Sequence, residues 1–287
     1  MDYKKELEEL ILTVIHEGGS DLHLSVSRVP AIRVSGELIF LVKHAVLTKE
    51  DMLGMLSAVL SKNKIEKFLE VQEVDFAYDF HGETRLRGNA FFQKGMIAMV
   101  LRLVPKVQTL KDLNLPSILS DIAHKKQGFF LVVGPVGQGK STTLAAMVNV
   151  INTEQARNIV TIEDPIEHMH IPDKSIISQR EVGIDTSDFH IALKSVFRED
   201  VNVIMVGEMR NLDTISTAVT AAETGHLVLS TLHTNNASQT IDRIIDSFPA
   251  NQQDQIRNQL AVSLLGIFSQ RLVPKITGGL IPAFELL

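Results

Sequence analysis

The stretch Gly134-Pro-Val-Gly-Gln-Gly139-Lys140-Ser141 has the residue types and spacing of a loop that holds phosphate. Glycines at 134, 137 and 139 let main-chain N–H groups curl around an anion with no Cβ in the way. Lys140 adds a positive charge on a flexible stem, and Ser141 offers a hydroxyl to a divalent cation. The apolar run 128–133 before the loop reads as a strand and residues 141–152 after it as a helix. The positive end of that helix therefore faces the same anion. Strand, G-x-x-x-x-G-K-[ST] and helix together are the context that the P-loop motif requires. They point to ATP and Mg2+, held by Gly134, Pro135, Val136, Gly137, Gln138, Gly139, Lys140, Ser141 and Thr142.

Three further clusters end predicted strands. Val203-Ile-Met-Val206-Gly207-Glu208 is an apolar strand closing on a carboxylate, the Walker B layout. At the C-terminal edge of a sheet, where ligands bind, Glu208 could join Ser141 in holding the shell of a magnesium ion, or orient an attacking water. Thr161-Ile-Glu163-Asp164-Pro165-Ile-Glu167 brings Glu163 and Asp164 to the same edge, as general base or magnesium partner, the plainer reading being a solvated turn before proline. His226 and His233, in Gly225-His226 and Thr231-Leu-His233-Thr234, could sense a γ-phosphate or be structural. His168 and His170 lack a third partner for a metal site. Arg85, Arg87 and Arg102 lie on predicted strands of the first half, and Arg198 and Arg210 flank the Walker B strand. Strand alternation puts Arg85 and Arg87 on one face, where cations could meet γ-phosphate charge across an interface if the protein works as a ring.

These residues need a scaffold, and 287 residues with 45% apolar and 22% charged side chains leave room for two domains. A net charge of −6 argues against non-specific nucleic-acid binding as the main task, and the lack of any cysteine excludes disulfides, zinc ribbons and thiol nucleophiles. No signal peptide and no membrane-length apolar run is visible, so the expected place is the cytoplasm, with any membrane contact peripheral. Up to Pro105 the pattern is helix 3–16, strands near 21–24, 31–34 and 37–42, a helix opened by a Thr48/Asp51 capping box, and strands around His81-Gly82 and from 96 to 103. This is a small α+β domain with an antiparallel sheet. Residues 105–116, with proline at both ends, read as a linker. From 117 to 287 strands at 128–133, 158–163, 201–206 and 226–231 alternate with helices, the signature of a mainly parallel α/β sheet. Within it, a hairpin-like excursion is expected through residue 180, and a helical region from 239 to 272.

The motifs together resemble one family, the PilT-like type IV pilus retraction (twitching motility) ATPases of the type II/IV secretion superfamily. The resemblance rests on Gly19-Ser-Asp-Leu-His-Leu24, residues 134–143, Ile162-Glu-Asp-Pro-Ile-Glu167, Gln179-Arg-Glu-Val-Gly183, Val206-Gly-Glu-Met-Arg210, Ala221-Ala-Glu-Thr-Gly-His226 and Ser230-Thr-Leu-His-Thr234, which occur in family order along nearly the whole chain. It implies a PAS-like N-terminal domain at 1–104 and a RecA-like ATPase domain, and a homohexamer with ATP between the two domains. It implies that Glu163 and Glu208 are the catalytic glutamates, that His226 and His233 form a histidine box, and that Arg87 and Arg102 contact nucleotide. The partner implied is an inner-membrane pilus platform protein, with neither nucleic acid nor zinc. The rivals are pilus-extension and type II secretion ATPases, which usually carry a tetracysteine zinc site, and, from another class, a nucleotide-binding assembly subunit without turnover. Asn211 stands where the family usually has Asp, Val201-Asn202 where it has Pro-Asp, and Val136 and Gln138 where Thr and Ser are common. The chain ends at Glu285-Leu-Leu, short of the C-terminal helices that the resemblance leads one to expect.

Overall fold

The computed structural model describes residues 2–81, 84–105, 107–209, 211–276 and 279–287. The chain divides after Pro105 into two compact units.

The first unit contains α1 (Tyr3–His16), β1 (Asp21–Ser25), β2 (Ala31–Val34), β3 (Glu37–Phe40), α2 (Lys49–Val59), α3 (Lys62–Val71), β4 (Glu73–Phe80), β5 (Thr84–Gln93) and β6 (Met96–Leu103). The strands form one antiparallel sheet in the order β3-β2-β1-β6-β5-β4. Leu7, Leu10, Ile11 and Val14 recur at helical spacing on α1, and all four are buried in the core of this unit. Thr48 opens α2 with the expected reciprocal cap: its hydroxyl accepts from Asp51 N–H at 3.2 Å, and Asp51 Oδ2 accepts from Thr48 N–H at 2.8 Å. The sequence pattern did not reveal α3. Only Phe68 of that helix is buried, so its apolar period is too sparse to read. The turn expected at His81-Gly82 lies partly outside the described residues.

The second unit contains α4 (Ile118–Ala123), β7 (Gly128–Val133), α5 (Lys140–Glu154), β8 (Asn158–Glu163), β9 (Ile176–Glu181), α6 (Phe189–Val196), β10 (Val203–Val206), α7 (Leu212–Glu223), β11 (Leu227–Leu232), α8 (Ala237–Asp246), α9 (Gln253–Ser263), β12 (Leu264–Pro274) and β13 (Leu280–Leu286). The sheet order is β13-β12-β7-β11-β10-β8-β9, parallel except for β13. Every residue of β7, β10 and β11 is buried, as expected of strands covered on both faces. Alternation divides β7 cleanly. Phe129, Leu131 and Val133 join the core under α6 to α9, while Phe130 and Val132 join the core under α4 and α5.

Two expectations are corrected here. Residues 264–272 are strand rather than helix: β12 pairs in parallel with β7 from Leu264 to Ser269, then with β13. An apolar run such as Leu-Leu-Gly-Ile-Phe suits either period, and the open edge of β7 decides it. The excursion before residue 180 returns as β9, a parallel edge strand in register with β8 from Asn158↔Ile176 to Glu163↔Glu181. The segment 107–116, read as a linker, is counted with the second unit and packs on it. Thr109 and Asp112 close a reciprocal cap at 3.1 and 3.2 Å, and Leu110 and Leu115 bury into the core beneath α4 and α5.

Candidate functional site

Because β7, β8, β10 and β11 run parallel, their C-terminal ends share one edge, and the residues just beyond them meet there. Beyond β7 the chain turns sharply at Gly134, where φ is +149° and a Cβ would stand 2.3 Å from the Gln270 carbonyl oxygen. Only glycine fits that approach. Gly137 and Gly139 also take positive φ, and the loop curls directly into α5. That helix has Gly139 at its N-cap and no side-chain cap, so its first N–H groups point outward with no carbonyl one turn earlier to bind them. A cavity of about 680 Å3 opens in front of them, lined by residues 136–142 together with Glu163, Asp164, Glu167, Glu208, Thr231, His233 and Leu272.

Lys140 reaches across this cavity. Its Nζ donates to Pro135 O at 2.9 Å and faces His233 Nδ1 at 3.3 Å. An ammonium can only donate, so Nδ1 is the accepting nitrogen and the imidazole carries its proton on Nε2. Nε2 in turn points at Glu208 Oε2, 3.5 Å away. Burial, then the Lys140 charge, holds His233 below the usual histidine range, against the pull of Glu208, in keeping with a neutral ring. Burial also lowers Lys140, opposed by Glu208 and Glu167. Glu163 is the most enclosed of the acids. Burial raises its pKa, although Thr161 Oγ1 at 2.7 Å, Gln179 Nε2 at 3.2 Å and Glu167 N–H at 3.4 Å donate to it.

The lining sets Glu163, Asp164, Glu167 and Glu208 against Lys140. A polyphosphate entering alone would meet more negative than positive charge. A divalent cation entering with it removes the conflict, and hard carboxylate and hydroxyl oxygens are the donors that Mg2+ takes. Among the described residues no cluster of three or more His, Cys, Asp or Glu could hold a metal ion by itself.

Of the residues singled out in the sequence, the loop from Val136 to Thr142, Glu163, Glu208 and His233 come together here. His226 does not. It precedes β11, whereas His233 follows it, so the two lie at opposite edges of the sheet, about 20 Å apart for a six-residue strand. His226 instead presents Nδ1 to Ala221 O at the end of α7 and packs edge-on against Phe197. Its motif spacing is real, but a strand carries its two ends apart. His168 and His170 are buried, His168 Nε2 meeting Thr142 Oγ1 at 3.2 Å. Arg87 and Arg102 belong to the first unit, opposite one another on β5 and β6, and Arg102 Nε binds Asp21 at 2.7 Å. Arg210 lies outside the described residues. Asn211 is the N-cap of α7, accepting from Thr214 N–H at 2.9 Å, a place where Asn and Asp serve equally. Gln270 and Leu272 carry no local signal: their apolar segment reads as helix, and only the pairing of β12 with β7 brings them here.

Strand, glycine loop and helix, with two carboxylates delivered by neighbouring strand ends, define a P-loop nucleotide-binding α/β domain. The sequence profile of the family described as Type II/IV secretion system protein matches residues 93–279, and the chain belongs to that family. It is 42% identical over 283 residues to the type IV pilus retractation ATPase PilT of Pseudomonas aeruginosa, covering 98% of this chain and 82% of that protein. It is 41% identical to the type IV pilus ATPase PilU of the same organism, over 94% of this chain and 70% of that one. Its fold matches the crystal structure of the pilus retraction motor PilT with bound ADP at a TM-score of 0.91, with 48% identity, covering 98% of this chain and 82% of the other.

Proposed function

We propose that this chain is an ATP hydrolase that works as a homohexameric motor driving type IV pilus retraction. One observation carries the hydrolase reading: Glu163 and Glu208, delivered by two different strands, open onto the same cavity as the P-loop. The high coverage and identity to PilT support the biological part. In this reading the P-loop N–H groups and Lys140 would hold the β- and γ-phosphates of ATP, and Ser141 and Glu208 would hold Mg2+. The bound cation supplies charge neutralisation and Lewis acidity. Glu163, enclosed and with raised proton affinity, accepts a proton from the attacking water. His233, neutral and fixed between Lys140 and Glu208, keeps both oriented. The platform protein of the inner membrane is the partner to which force passes. The test is steady-state ATP hydrolysis by the pure protein, followed by restoring a deletion strain with wild type or with Glu208→Gln. Wild type should restore pilus retraction and surface motility and the variant should not. Equal restoration by both would replace the motor with a nucleotide-gated assembly role.

A further inference from the structure

The P-loop of this chain is clasped from one side by β12. While β7 stops at Val133, its neighbour β12 continues to Pro274, and residues 270–274 run alongside the loop. Gln270 is 2% exposed, and its partners determine its amide orientation. The main-chain oxygen of Gln138 can only accept, so the group facing it at 2.7 Å is the Gln270 Nε2 donor. Oε1 then faces Thr143, whose hydroxyl donates to it at 2.7 Å. A third contact runs in the other direction: Leu272 N–H donates to Gln138 Oε1 at 2.7 Å.

The consequence is stereochemical. In a trans peptide, C=O and N–H point in opposite directions. Holding Gln138 O against β12 therefore turns the Gly139 N–H away from β12. Gly139 has φ +77°, and a Cβ there would lie 3.0 Å from Gln270 Nε2, so the clasp and the left-handed turn require the same residue. We propose that Gln270 is a positioning residue for nucleotide, which together with Gln138 sets the P-loop donors in their binding orientation before phosphate arrives. The proposal rests on the nucleotide-binding reading above. Donors already in place bind more tightly than donors that must first be ordered. Gln138 supplies the third contact through its side-chain amide oxygen, so both strands of the clasp depend on a glutamine.

Gln270→Glu tests this, because it keeps the shape and the acceptor for Thr143 but sets an oxygen against the Gln138 carbonyl. Three measurements are needed: amide hydrogen exchange over residues 134–143 in the ligand-free protein, direct titration with a fluorescent ADP analogue and Mg2+, and thermal melting. The expected result is exchange that speeds most in the loop and a dissociation constant raised at least ~10-fold, or about 1.4 kcal/mol, beyond the general fall in melting temperature that a carboxyl at this buried position causes by itself. Unchanged exchange and affinity would overturn the clasp. So would uniformly raised exchange, which is what a merely structural role predicts. Lys140→Ala is the control. If it too leaves affinity unchanged, the nucleotide reading fails; if it abolishes binding while Gln270→Glu does not, only the clasp fails. Should Gln270→Glu not fold, Gln138→Ser removes the Leu272 contact from a half-exposed loop. It should weaken binding by ~3-fold with faster loop exchange, and no change in either would equally overturn the proposal.

Discussion

Burial presses Glu163 and Lys140 toward their uncharged forms, raising the pKa of the first and lowering that of the second. For Glu163 this makes a base, and it also costs stability at neutral pH. A carboxyl with a folded-state pKa above its unfolded value adds stability at low pH and loses it as pH rises through the folded value. Glu163→Gln removes that loss. Its melting temperature should exceed that of wild type by a margin that grows as pH rises above the ordinary carboxyl value of 4.5. Its turnover should fall at least ~100-fold, because the amide cannot take a proton. Melting curves across pH and steady-state rates check both. A variant less stable than wild type at neutral pH would show that the carboxylate is better satisfied than its surroundings indicate.

Among the elements, the connection from β8 to β9 folds over the P-loop helix and buries a histidine on the way. His170 is 7% exposed, and burial, followed by the neighbouring His168, depresses its pKa from 6.5 to about 4. Between those values the unfolded chain binds a proton that the folded chain refuses, so stability falls as pH drops through this window. The loss amounts to roughly 3 kcal/mol once pH is below both values. His170→Phe keeps the ring volume without the titration. Urea unfolding at pH 7 and pH 4.5 should show a smaller loss of stability in the variant than in wild type, and parallel losses would remove His170 from the acid limb. Asn202, on the connection into β10, accepts from Asn158 N–H at 2.9 Å and its own N–H returns to Asn158 O. This joins the starts of β8 and β10 at the edge away from the cavity, so the departure from Pro-Asp touches no phosphate contact.

For the whole molecule the proposal is a ring, and no helix among the described residues is long and apolar enough to cross a membrane. Arg87 and Arg102 are the cations expected to act on nucleotide once subunits assemble, and losing such an arginine can cost ~10³-fold in turnover. Arg87→Ala is the cleaner variant, since Arg102→Ala also strips Asp21 of its 2.7 Å partner and leaves a buried carboxylate behind. Turnover by Arg87→Ala should collapse while its circular dichroism and melting match wild type. Specific activity of wild type should fall on dilution, as sedimentation shows the oligomer dissociating. A fully active monomer would remove the ring.

The phosphate loop, the two carboxylates that line its cavity and the alternating strand–helix order were legible in the residues themselves. Each depends on local chemistry: glycine where φ is positive, a carboxylate where an apolar run stops, a period of 2 or 3.6 in between. Which histidine of the pair reaches the edge that carries the P-loop was not legible. The parallel sheet brings His233 to Lys140 and carries His226, seven residues earlier in the same motif region, to the far side. Residues 264–274 show the same limit. Their apolar run is compatible with helix or strand, and the unpaired edge of β7, contributed by residues more than a hundred positions earlier, decides between them. With that pairing comes Gln270 against the P-loop, a contact between residues 132 positions apart that no local pattern encodes.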